Sequence, residues 1–174
     1  MKTQDPVLPL LFTALVLAAG LFPLKVTNLL GLPAHVLFLH VPVVLIPIVC
    51  VLVSVLAFRP AWRARFGLAT ALLATATMAA TLVTVGAGEA LRDARFADAD
   101  NPRLAQHAEL GEQLRLLVIV VTIAFILLLL ADARLSLSRA TTPAVGVTLT
   151  ALAILTIVWV TRTGHLGAQL AWAG

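Results

Sequence analysis

Charge is scarce in this chain. Only 11% of its 174 residues are charged, tyrosine is absent, and there are one cysteine and two methionines. A water-soluble domain of this size needs polar residues to cover its core, and here 61% of the residues are hydrophobic and the mean hydropathy is +1.05. That balance excludes an ordinary soluble fold and points to a polytopic membrane protein. The lone Cys50 excludes an intrachain disulfide, and no CxxCH is present for covalent haem attachment. Cys50 lies inside an apolar run and reads as an inert packing residue. Without GxSxG, HExxH or a phosphate-cradling glycine loop, ordinary hydrolase chemistry has no support. The net charge of +4 is no nucleic-acid footprint, because the basic residues sit in short loops between apolar runs.

Apolar runs of spanning length are what the sequence does have. Five are marked by the spanning-length rule: Val7–Leu24, Ala34–Phe58, Gly67–Gly88, Leu114–Ala131 and Pro143–Thr161. The expected fold class is all-α, a polytopic membrane helix bundle with a four-helix core and an N-terminal fifth transmembrane helix. Residues 1–30 carry that first helix and 31–174 the four-helix membrane domain. Lys2, a short apolar run and Ala18-Ala19-Gly20 also suit a cleaved signal peptide, whereas Asp5, Pro6 and Pro9 suit a retained helix. The one long connection is Glu89–Gln113, rich in charge. Within it Asn101-Pro102 offers an N-cap followed by proline at the first helical position, and Thr142-Pro143 gives the same start for the fifth run.

Arginine placement sets the expected orientation. Arg59, Arg63 and Arg65 follow the second run, and Arg134 and Arg139 follow the fourth. Cytoplasmic placement of both loops puts the amino terminus inside, and Glu89–Gln113 and the carboxy terminus outside, although Arg92, Arg95 and Arg103 sit in that outer loop. Counting up each helix at about 1.5 Å per residue, His35, His40, Glu89, His107 and His165 all reach roughly 27–36 Å from the cytoplasmic end. All four histidines of the chain thus share one level at the outer rim. Any one of them alone suits an interfacial histidine satisfied by a carbonyl or water. Together they point to a shared cofactor or metal site, because ionisable groups at membrane depth are costly.

His35 and His40 are about 140° apart on an ideal helix, so one ligand from the second helix and another from the fourth or fifth is expected. His40, followed by Pro42, is the favoured ligand, with His35 an outer group or none. Thr70, Ala74, Thr77, Thr81, Thr84 and Gly88 form a small, slightly polar stripe that reads as helix packing. Arg162, one turn before His165, suits either a haem propionate or a snorkelling position.

At these residues a resemblance enters. AHVLFLHVPVVLIPI is similar to the HPxxVHFPIAL opening, and TRTGHLGAQLAW to the TGHLGGxLVY closing element, of a bacterial membrane-domain family of unknown function, domain of unknown function twenty-two thirty-one. The resemblance covers about residues 30–174. It aligns the family's histidines with His35, His40 and His165, its proline with Pro42, and its glycines with Gly164 and Gly167. Val36, Val41 and Ala168 depart from the pattern. The family is sometimes fused to Rieske iron–sulfur domains, which implies redox chemistry at the outer face of the bacterial plasma membrane.

The leading expectation is a b-type haem protein for electron transfer or redox assembly. His40 would be one axial ligand and His107 or His165 the other, with Arg162 nearby. The second is a non-haem zinc or copper site on His40, His107, His165 and Glu89. The third is a cofactor-free structural subunit of a membrane complex. The implied partners are the lipid bilayer, a redox protein such as a Rieske or cytochrome protein, and further copies of the chain as a homo-oligomer.

Overall fold

A computed structural model of the chain describes residues 7–20, 25–97, 100–135 and 141–172. Its elements are α1 (Val7–Gly20), a two-stranded hairpin of β1 (Asn28–Leu29) and β2 (Leu32–Pro33), α2 (Ala34–Phe38), α3 (His40–Phe58), α4 (Pro60–Arg95), α5 (Pro102–Leu135) and α6 (Thr141–Trp172). The fold is essentially all helical, as the apolar runs require. Four spans are long and apolar enough to cross a membrane: Ala34–Phe58, Pro60–Arg95, Pro102–Leu135 and Thr142–Trp172. α1 has 14 residues, short of the expected spanning run, and residues 21–24 lie outside the described part.

α4, α5 and α6 have 36, 34 and 32 residues, so each exceeds the hydrocarbon thickness of about 30 Å by several turns. The start of α5 at Pro102, outside the hydrocarbon, is the one expected from Asn101-Pro102, whereas α4 runs past the Gly88 end of its apolar run. Much of the Glu89–Gln113 segment is helix, because the Arg92 and Arg95 side chains suit the last turn of α4 and Asn101 starts α5. Asn101 Oδ1 accepts from the backbone N–H of Arg103 at 3.0 Å, which is the expected cap. α6 starts at Thr141, within a residue of the expected Thr142-Pro143 signal.

Two prolines shape the second span. Pro42 has no N–H to donate to the Phe38 carbonyl, so one rung is missing between α2 and α3, but Leu39 keeps helical dihedrals (φ −59°, ψ −25°) and Ala34–Phe58 runs on as one spanning segment. Pro60 opens α4, and Arg59 before it adopts an extended conformation (φ −121°, ψ 81°), so a single residue reverses the chain. Arg63 locks that reversal. It is 3% exposed, and its Nη1 donates to the Leu56 and Ala57 carbonyls at 2.9 and 2.8 Å, satisfying the free end of α3. Its Nε pairs with Asp132 near the end of α5.

The four long segments form a ring in which each of α3, α4, α5 and α6 packs on its neighbours and α6 closes against α3. α1 lies outside the ring, parallel to α4: Thr13 Oγ1 bonds Thr75 Oγ1 at 2.7 Å, and Gly20 rests on Leu82. The core has two parts. Val53, Ala57, Ala71, Phe125 and Ile126 fill the half nearer Arg63; Ile46, Cys50, Met78, Leu114, Val118 and Val160 fill the other. The stripe of Thr70, Ala74, Thr77, Thr81 and Thr84 is buried on α4. Thr77, Thr81 and Thr84 donate to carbonyls one turn back, leaving only small apolar surface toward the neighbouring helices.

Candidate functional site

The end of the bundle opposite Arg63 holds the histidines. His35 sits in the short α2, and its Nδ1–H donates to the Thr84 carbonyl of α4 at 2.9 Å. A carbonyl only accepts, so this bond fixes the tautomer and leaves Nε2 with a free lone pair. One turn beyond Thr84 is Gly88, where a Cβ would fall 2.8 Å from His35 Nδ1. His107, near the start of α5, rests against α6. Its ring lies beside the Thr163 backbone, and a Cβ on Gly167 would fall 2.9 Å from His107 Cε1. Each imidazole thus rests on a Thr-x-x-x-Gly step, Thr84–Gly88 or Thr163–Gly167, whose glycine makes room for the ring, and at His35 the Thr84 carbonyl also orients it.

The two rings face each other. Their centroids are 6.1 Å apart and their planes meet at 89°. His107 Nδ1 is buried and has no hydrogen-bond partner among the described residues. Both side chains are half-buried. The pair draws one histidine from the second span and one from the helix of the fourth apolar run, whereas the sequence favours His40 with a partner from the fourth or fifth.

The other expected residues lie elsewhere. His40 opens α3 and is exposed, on a face it shares with the exposed Val36, Val44 and Ile48. His165 is also exposed and bonds Gln169 on its own helix at 3.1 Å. It follows Gly167 backward by two residues, about 200° around α6, so it points away from His107. Arg162 is exposed and lies over the Trp159 ring at 5.4 Å, and Trp159 Nε1 donates to Gln113 Oε1 at 2.8 Å. Glu89, half-buried beside Gly88, stands 4.0 Å from Arg115, which also pairs closely with Glu112. The four expected metal donors His40, His107, His165 and Glu89 are therefore not assembled, and among the described residues no three His, Cys, Asp or Glu side chains converge.

Sequence reading missed the roles of Glu112, Gln113 and Arg115. It also missed that the two Thr-x-x-x-Gly steps serve as seats. That repeat was the available signal, since positions four apart share a helix face.

The elements that build this site all fall within residues 31–174, which match the model of a family described as "Predicted membrane protein (DUF2231)". The chain belongs to that family. The match begins just before α2 and leaves α1 outside it. No curated protein and no solved structure matches the chain.

Proposed function

We propose that this DUF2231 member is a membrane haem protein in which His35 and His107 are the axial ligands. The observation that carries the reading is the ring pair. Metal–imidazole bonds are about 2.0–2.1 Å, so two rings sharing one metal ion stand roughly 6 Å apart centroid to centroid, which the 6.1 Å separation fits. His35 gives its Nδ1–H to the Thr84 carbonyl, the usual outer support of a ligating histidine, and His107 lies beside the Thr163 backbone. The donor count argues in the same direction. Among the described residues no third His, Cys, Asp or Glu joins the pair, and two imidazoles suit a tetrapyrrole that brings four nitrogens of its own.

A bound haem would supply one-electron exchange, and two histidines would saturate its iron. The chain's own residues do the rest. Thr84 holds the His35 ring in orientation, Gly88 and Gly167 let both rings seat against the helix backbones, and Leu110 and Leu114 pack below on α5. Arg115 and Arg162 put positive charge near the same mouth, suited to acidic groups of a cofactor. With the Arg63 end in the cytoplasm, as the short loops after the second and fourth apolar runs suggest, the site would face the outer side of the bacterial plasma membrane, within reach of a redox protein there.

The test is an absorption spectrum of protein purified in detergent after expression with ample haem, oxidised and then reduced with dithionite. A Soret band is expected in the wild type, His40→Ala and His165→Ala proteins, and its loss in His35→Ala and His107→Ala. A wild-type preparation without the band overturns the reading. Elemental analysis of that same sample would then show whether zinc or copper takes the place of haem.

A further inference from the structure

The six residues before α2 read Asn28-Leu29-Leu30-Gly31-Leu32-Pro33 and form a hairpin paired Asn28 with Pro33 and Leu29 with Leu32. Its two turn residues both have left-handed backbones, Leu30 at φ 53° and Gly31 at φ 80°. Such a turn ordinarily takes asparagine or aspartate followed by glycine, because a side chain of leucine's size disfavours the left-handed region. Leu30 is nonetheless there, and it is 92% exposed, with Leu29 at 40% and Leu32 at 54%. The leucine at the tip helps neither the turn nor the core.

The hairpin is held firmly and close to the bilayer. The Ala34 N–H donates to the Thr27 carbonyl at 3.0 Å, Arg95 Nη2 donates to Asn28 Oδ1 at 3.4 Å, and Lys25 lies 3.9 Å from Asp93. Pro33 leads directly into Ala34, the first residue of a spanning segment. At about 3.3 Å per residue, the tip is at most roughly 13 Å from that point. The polar layer of a bilayer adds about 5–8 Å beyond the hydrocarbon on each side. Leu32, two residues before Ala34, and Leu29 paired with it thus lie within about 7 Å of the spanning segment, inside that layer, with Leu30 one residue further out at its edge. Lys25, Arg92 and Arg95 surround them with positive charge suited to lipid phosphates.

We propose that this hairpin is an interfacial anchor that inserts Leu30, flanked by Leu29 and Leu32, among the lipid headgroups and upper acyl chains. Apolar side chains on a short rigid element next to basic groups are the features that bind such a surface. The anchor fixes the entry to α2 and with it the position of His35. The inference does not depend on what the histidines bind.

The experiment uses the full chain with Cys50→Ala, reconstituted in liposomes, with an environment-sensitive fluorophore on Leu30→Cys or, as control, on Asp100→Cys, an exposed position beyond α4. Lipids spin-labelled at the headgroup or at a shallow acyl position should quench the position-30 probe at least about two-fold more than the control, with blue-shifted emission. A probe at position 32 reports the same anchor, and Leu30→Gly, which relieves the turn, should lower its quenching while leaving the protein folded. The proposal is overturned by a position-30 probe that matches the control and is quenched by aqueous iodide. It is equally overturned by one shielded from both quenchers, which would indicate a protein contact, or by quenching at position 32 that Leu30→Gly leaves unchanged.

Discussion

At the residue scale, a histidine's role here is decided by what lies beneath its ring. A count along each helix puts all four histidines at one depth, but depth says nothing of azimuth. His107 and His165 share a level and face opposite ways, because only His107 meets a glycine of the neighbouring helix. Gly88 is the most direct test of this seating. A methyl group there would fall 2.8 Å from His35 Nδ1, so Gly88→Ala should destabilise the protein by about 1–3 kcal/mol, read as a lower melting midpoint in detergent. In a His35→Ala background the obstacle is gone and the cost should largely vanish. An equal cost in both backgrounds would show that the ring does not rest there. Gly167 and His107 form the matching pair. Both glycines were visible in the sequence, Gly88 in a small-residue stripe and Gly167 in the closing motif. Their partners were not, since contacts between helices leave no trace in local spacing.

Elements were more legible than pairings. Apolar run lengths, the Asn101-Pro102 start and the proline at position 60 all report local chemistry, and the helices form where that chemistry directs. What escaped was the choice between His35 and His40. The expected angle of about 140° runs through Leu39, whose dihedrals are helical, and it turns His35 toward α4 while His40 stays exposed. Pro42 leaves the Phe38 carbonyl without its helical donor, so Pro42→Ala should supply that N–H. Amide exchange at position 42 should then become slow. Because the backbone is already helical on both sides of Leu39, His35 should stay on Thr84 and the energetic coupling between Gly88 and His35 should be kept. Loss of that coupling beside a protected amide would show that Pro42 itself positions His35.

The whole molecule is bounded by two polar layers. Arg63 with Asp132 closes one end, and His35 on Thr84 marks the other, roughly 20 residues further along α4 and hence about 30 Å away. That separation equals the hydrocarbon thickness, which sets the bundle across the membrane with Trp62 and Phe66 exposed at one boundary and Trp172 at the other. Because α1 runs parallel to α4, Val7 belongs to the same end as Arg59, Arg63 and Arg134. The ten arginines divide evenly, Arg59, Arg63, Arg65, Arg134 and Arg139 falling in or beside the loops at that end and Arg92, Arg95, Arg103, Arg115 and Arg162 toward the histidine end, so their number alone does not orient the bundle. Single cysteines in a Cys50→Ala background decide the matter in intact cells. A membrane-impermeant maleimide should label Asp100→Cys at once, and Ala61→Cys, in the first turn of α4, only after lysis. The reverse pattern would place the histidine pair in the cytoplasm and remove any partner on the outer face. The geometry of the pair itself would stand, since it is set by α4 and α6 rather than by the side on which they open.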